Sequence, residues 1–350
     1  MTVLSKINNR NYVIDIFRMF AIFFVICCHV QFPNVTGEVF KALARWAVPF
    51  FFVISGYFIK DFDRLKIAKH IKKIFILTIF ANLFYFVWDV ILVLLGSSLP
   101  LVQLLSKRSM FMFLVFNESP FAGHLWFLGA LLYSLVFMYV ISYIKPAYRK
   151  YFYLLIPILL IGDLLLGKYS VAIFHREFYY IYIRNFIFVG IPYTLLGNYI
   201  YTYKDKFISS VKSSYLIFFI LLFSGLQLVE KYFLIYFNLD TQREHFISTT
   251  FLTISIFLLC LKSASYIKLS NNNIYSKIII NSSDIVLFIY IIHWFIINIF
   301  YYIFHGNNTI YNHAAPIIIF IVSLILYPIY KIVYDRICIL INKLTVKNNV

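Results

Sequence analysis

The chain has 350 residues, 62% of them hydrophobic and only 13% charged, with a mean hydropathy of +0.85. These values exclude a soluble globular domain and predict an all-α integral membrane protein. A formal charge of +17 would suit a nucleic-acid binder, but the basic residues form short clusters between apolar runs, a pattern of membrane topology and not of nucleic-acid binding.

About ten apolar stretches are long enough, at roughly 17 to 25 residues, to cross a hydrocarbon core. They run over 13–32, 40–59, 74–96, 124–144, 151–167, 183–203, 214–236, 246–262, 283–304 and 314–334. With the N-terminus in the cytoplasm, the cytoplasmic connections receive most of the Lys and Arg, including a dense cluster over 60–73. The expectation is one polytopic domain over 1–350 with both termini cytoplasmic. The first stretch contains Arg18 and has no small-residue cleavage site after it, so it reads as a retained span and not a signal peptide.

Three ionisable groups interrupt that first span, "IDIFRMFAIFFVICCHV" over 14–30. Asp15 lies one turn before Arg18 and can pair with it at i, i+3. Arg18 and His29 are roughly three turns apart on one face, separated by about 16.5 Å along the axis. Polar groups inside a span usually face a cavity or a partner. A bland reading remains beside this one: Asp15 and Arg18 as a boundary pair reaching the headgroups, and His29 as an interfacial residue.

Further along, the connection over 97–123 holds an apolar stretch, 110–116, expected to lie in the interface or to re-enter. Tyr290 and His293 sit one turn apart in the ninth stretch, where they are costly unless they face the bundle interior. Cys27, Cys28, Cys260 and Cys338 all fall in apolar runs without zinc spacing and read as small membrane-core residues. No phosphate loop, H-E-x-x-H motif or paired-carboxylate helix appears, and no metal site is expected.

Arg, ten residues, then His in a first span resembles the signature of the bacterial acyltransferase 3 family, integral membrane proteins that O-acylate cell-envelope carbohydrates. The likeness continues in order along the chain. "VPFFFVISGYFI" (48–59) is similar to the family's second-span segment, and "GHLWFLGALL" (123–132) to its fourth-span opening. "GIPYTLLGNYI" (190–200) resembles its mid-chain aromatic-Gly segment, and "IYIIHWFI" (289–296) its late Tyr-x-x-His span. One stretch departs from the pattern: where the family carries Arg-x-x-Arg before the third span, "KHIKKIF" offers His70 and Lys73, or Lys69 and Lys72. Charge is kept there, but bidentate guanidinium recognition of phosphate is not.

The resemblance implies transfer of an acyl group, acetyl being the commonest, from cytoplasmic acetyl-CoA to a hydroxyl of an extracytoplasmic or lipid-linked polysaccharide. The setting is the bacterial inner membrane, with no tightly bound cofactor. His29 is then the base, with Glu118 or Asp89 compensating its charge, and His124 and Trp126 complete the catalytic set. Asp15, Arg18, Ser55, His70, Lys73, Tyr290 and His293 become candidates for holding donor or substrate, although Ser55-Gly56 equally suits close helix packing. A covalent acyl-histidine relay is an alternative chemistry for the same residues. Two other readings stay open: a transporter or flippase whose path is lined by Arg18 and His29, and an acyl conduit serving a separate periplasmic transferase.

Overall fold

A computed structural model describes residues 10–97, 100–241, 245–264, 274–304 and 309–347. Its described secondary structure is helical throughout. The main helices are α1 (Tyr12–His29), α2 (Asn34–Leu43), α3 (Ala47–Tyr57), α4 (Arg64–Leu94), α5 (Lys107–Phe116) and α6 (Trp126–Ile141). They continue with α7 (Leu155–Asp163), α8 (Ile191–Thr202), α9 (Ser213–Tyr236), α10 (Ile247–Lys262), α11 (Ser282–Phe304) and α12 (Thr309–Lys347), with short helical turns between several of them. Among the described residues, eight helical segments are long and apolar enough to span a membrane. The chain is an all-α polytopic membrane protein.

Two of the ten expected stretches take other forms. The stretch at 246–262 becomes the 16-residue α10, shorter than a full crossing. The stretch at 183–203 opens as a π-helical turn, Phe186–Gly190, before continuing as α8. The Asn185 side chain accepts from the N–H groups of Ile187 and Phe188, and Pro192 lacks an N–H, so the α ladder cannot run unbroken through this point. The apolar 110–116 lies within α5, which ends at Asn117 in a left-handed conformation (φ 55°).

The helices gather into two compact units, one from Met1–Lys41 with Ile267–Val350, the other from Ala42–Tyr266. In the first, α1 packs on α11 and α12, with Phe23 edge-on to Phe320 at 5.5 Å and Phe288 stacked on Tyr330 at 4.7 Å. Asn11 starts α1 by accepting from the Val13 and Ile14 N–H groups, and Asp15 in the first turn suits the positive end of the helix dipole. α11 buries Ile285, Ile289, Tyr290, His293 and Ile296, a stripe at helical spacing.

In the second unit the closest crossing joins α3 and α8. A Cβ on Gly56 would fall 1.8 Å from the Thr194 carbonyl oxygen, and one on Gly197 2.0 Å from that of Val53. Only glycine lets the two backbones meet there. α9 and α10 form an antiparallel neighbour pair tied by stacked Phe223 and Phe251, 5.3 Å between centroids. Glu230 caps α10 by accepting from the Ile247 and Ser248 N–H groups, and the Tyr169 hydroxyl donates to the same carboxylate. That contact and burial, burial foremost, push the Tyr169 phenol well above its ordinary range. Cys27 and Cys260 are buried in apolar helices; Cys338 lies outside the described side chains.

Candidate active site

The first unit holds one constellation on α1 and α11. Asp15 is 2% exposed and receives two guanidiniums: Arg10 Nε donates to Oδ2 at 2.5 Å, and Arg18 Nη1 donates to Oδ1 at 2.8 Å. Arg18 Nη1 also donates to the Ser283 hydroxyl of α11 at 2.8 Å. The carboxylate thus fixes Arg18 from below while α11 fixes it from the side. A cation held this way is already ordered before it meets an anion.

Three turns further along α1, His29 lies against two successive rings of α11. Its centroid is 5.2 Å from that of His293 and 5.4 Å from the Trp294 ring, which meets it edge-on. His293 is fully buried, and its Nδ1 lies 3.0 Å from the Ile289 carbonyl oxygen. A carbonyl only accepts, so Nδ1 is the donor in this contact. Tyr290, also buried, places its ring 6.2 Å from His293. Asp15, Arg18, His29, Tyr290 and His293, singled out from the sequence, therefore meet on one helix pair. Arg10, Ser283 and Trp294 join them and were not anticipated. Arg10 precedes the helix, so helical spacing could not pair it with Asp15, and Ser283 belongs to a helix remote in sequence.

The second unit holds another constellation around the 117–126 segment. Asn117, left-handed, donates from Nδ2 to the Trp126 carbonyl at 3.1 Å and accepts from the Phe186 N–H at 3.0 Å, joining the start of α6 to the π turn. Ser119 donates to Asn82 Oδ1 of α4 at 2.7 Å, and His124, buried, meets the Tyr85 ring edge-on at 5.2 Å. Glu118 accepts the Tyr180 hydroxyl at 3.1 Å and both its oxygens face Arg184 Nη2 at 3.5 Å. The Arg184 guanidinium lies 4.7 Å from the Tyr180 ring centroid and 5.3 Å from that of Trp126. Burial, followed by the Glu118 charge, pushes the Tyr180 phenol up to about 12. Arg184 links the expected Glu118 and Trp126. The signal for it was an arginine at the end of a span where the positive-inside reading leaves few cations.

The other expected residues are more dispersed. The Ser55 hydroxyl donates to the Phe51 carbonyl of its own helix at 2.9 Å, next to the Gly56 crossing, which favours its packing role. His70 is half-buried on α4, whereas Lys69, Lys72 and Lys73 are exposed. Asp89 is buried on α4, one turn beyond Tyr85. Arg64 and Arg149 both donate to the Ser142 carbonyl, at 3.3 and 2.8 Å, so two guanidiniums converge at the end of α6 from separate segments.

A family model described as an acyltransferase domain matches residues 11–330, nearly the whole chain. No curated protein and no solved structure matches it.

Proposed function

The chain belongs to the acyltransferase 3 family, and from that premise we propose that this membrane acyltransferase moves an acetyl group from cytoplasmic acetyl-CoA to a hydroxyl of an extracytoplasmic or lipid-linked polysaccharide. The observation that carries the proposal is the α1 stripe: a buried carboxylate holding Arg18 at one level and His29 held by α11 rings about 16.5 Å further along. That separation is comparable to an extended pantetheine arm. Phosphates held by Arg18 leave the thioester near His29.

Acyl transfer to a hydroxyl needs a base for the proton and donors for the developing oxyanion. His29 is the proposed base, since imidazole exchanges a proton near neutrality. It takes the hydroxyl proton as the oxygen attacks the thioester carbon; the C–S bond then breaks and the thiolate recovers that proton. In the second unit, Glu118, His124 and Trp126 are proposed catalytic residues, with Tyr180 and Arg184 holding Glu118 in place. The lysines of 60–73 draw the anionic donor to the cytoplasmic surface of a bacterial inner membrane.

The test is label transfer: membranes carrying the protein, given radiolabelled acetyl-CoA, should incorporate label into their carbohydrate fraction. Solute movement without acetyl-CoA consumption would instead establish the transporter reading.

A further inference from the structure

We infer, resting on the acyl-transfer reading, that Asp89 binds the carbohydrate acceptor by taking one of its hydroxyls as hydrogen-bond partner. The buried face of α4 carries four polar side chains at helical spacing: Thr78, Asn82, Tyr85 and Asp89. Thr78 and Asn82 are satisfied within the protein. The Thr78 hydroxyl donates to the Ile74 carbonyl at 2.8 Å, Asn82 Nδ2 donates to the Thr78 carbonyl at 2.8 Å, and Asn82 Oδ1 accepts from Ser119 at 2.7 Å. Asp89 differs from them. It is 7% exposed, its Oδ2 meets no hydrogen-bond donor, and it forms no ion pair among the described residues.

A carboxyl group so placed is costly in either protonation state, since the anion lacks donors and the acid lacks an acceptor. Leucine would fill the position without that cost, so the group calls for a partner from outside the chain. A hydroxyl meets both states, donating to the anion and accepting from the acid, whereas a cation would serve the anion alone. The surroundings also suit a sugar, whose C–H faces pack on aromatic rings. One turn back along α4, Phe86 meets Phe121 edge-on at 5.3 Å and Tyr85 meets His124 edge-on at 5.2 Å. Asp89 therefore follows the junction of α4 with the segment that leads into His124 and Trp126, the proposed catalytic residues of the same unit. With the N-terminus cytoplasmic, it lies about 24 Å along the axis from Lys73 of the basic cluster, most of a hydrocarbon core away from the donor's side. The contact holds the acceptor and moves no proton.

The test uses the full chain in detergent, with saturating radiolabelled acetyl-CoA and graded amounts of the carbohydrate fraction extracted from membranes that carry the protein. Asp89→Leu should raise the amount of acceptor needed for half-maximal transfer by about tenfold or more, the loss of a hydrogen bond to a charged group, and change the KM for acetyl-CoA by less than about twofold. Asp89→Asn, whose amide both donates and accepts, should fall between. The melting temperature of Asp89→Leu should equal or exceed that of the unaltered chain, because an unpartnered buried carboxyl is gone. Should Asp89→Leu not fold, the near-isosteric Asp89→Asn carries the test by the same two constants. Unchanged acceptor dependence overturns the inference and leaves water as the partner of Asp89. A raised KM for acetyl-CoA alone also overturns it, making Asp89 a donor contact, as does a lowered melting temperature with both constants worsened together, making it a structural residue. If the unaltered chain transfers no label, the acyl-transfer reading itself fails; if it transfers label and Asp89→Leu matches it, only the assignment of Asp89 does.

Discussion

Asp15 stands between two guanidiniums, and each of the three groups depends on the others. Removing the carboxylate in Asp15→Ala leaves Arg10 and Arg18 as close like charges beside an apolar core, a change expected to destabilise by about 3 kcal/mol. Asp15→Asn, which keeps an acceptor, should cost less, and melting in detergent measures both. Arg18→Ala should raise the KM for acetyl-CoA by about tenfold, the loss of one charge-assisted hydrogen bond to phosphate, with a smaller effect on the maximal rate. Tyr180 gives a prediction in pH. Its folded value lies above the ordinary value of 10, so its stabilising contribution is complete below about pH 10 and is lost as pH rises toward about 12. Thermal melts across that window should therefore fall less steeply in Tyr180→Phe than in the unaltered chain.

Helix crossings carry the constraints at the next scale. α3 and α8 meet through Gly56 and Gly197, and in each case the obstructing atom is a backbone carbonyl that cannot rotate away. Either Gly→Ala change should separate the helices and destabilise by about 1–3 kcal/mol, read as a lower melting temperature or as lost folded protein. α1 and α11 are coupled differently, through Arg18 on Ser283 at one level and His29 on two rings at another. Their relative register is thus fixed at two heights along the same helix pair.

For the whole molecule, hydropathy alone was enough to identify an all-α membrane protein, because burying so much apolar surface in water-soluble form is impossible. The first span was legible for a related reason: Asp15, Arg18 and His29 stand out against lipid-compatible neighbours, and helical spacing aligns them. What the sequence could not reveal was which helix covers that stripe. α11 lies more than two hundred residues away, and Ser283 and Trp294 carry no local signal of their role. Arg184, Tyr180 and Glu118 come together for the same non-local reason, and the π turn at 186–190 was hidden inside an unbroken apolar run. The proposed topology has its own check. With the four native cysteines replaced, Lys69→Cys should react with a membrane-impermeant maleimide only from the cytoplasmic face and Lys107→Cys only from the opposite face.

The central claim is that His29 performs the transfer. The most direct measurement reconstitutes the purified chain in vesicles, supplies labelled acetyl-CoA on the cytoplasmic face, and compares it with His29→Ala. The account predicts equal donor binding by both proteins, with label passing to carbohydrate only where His29 is present. Unchanged transfer by His29→Ala would contradict it.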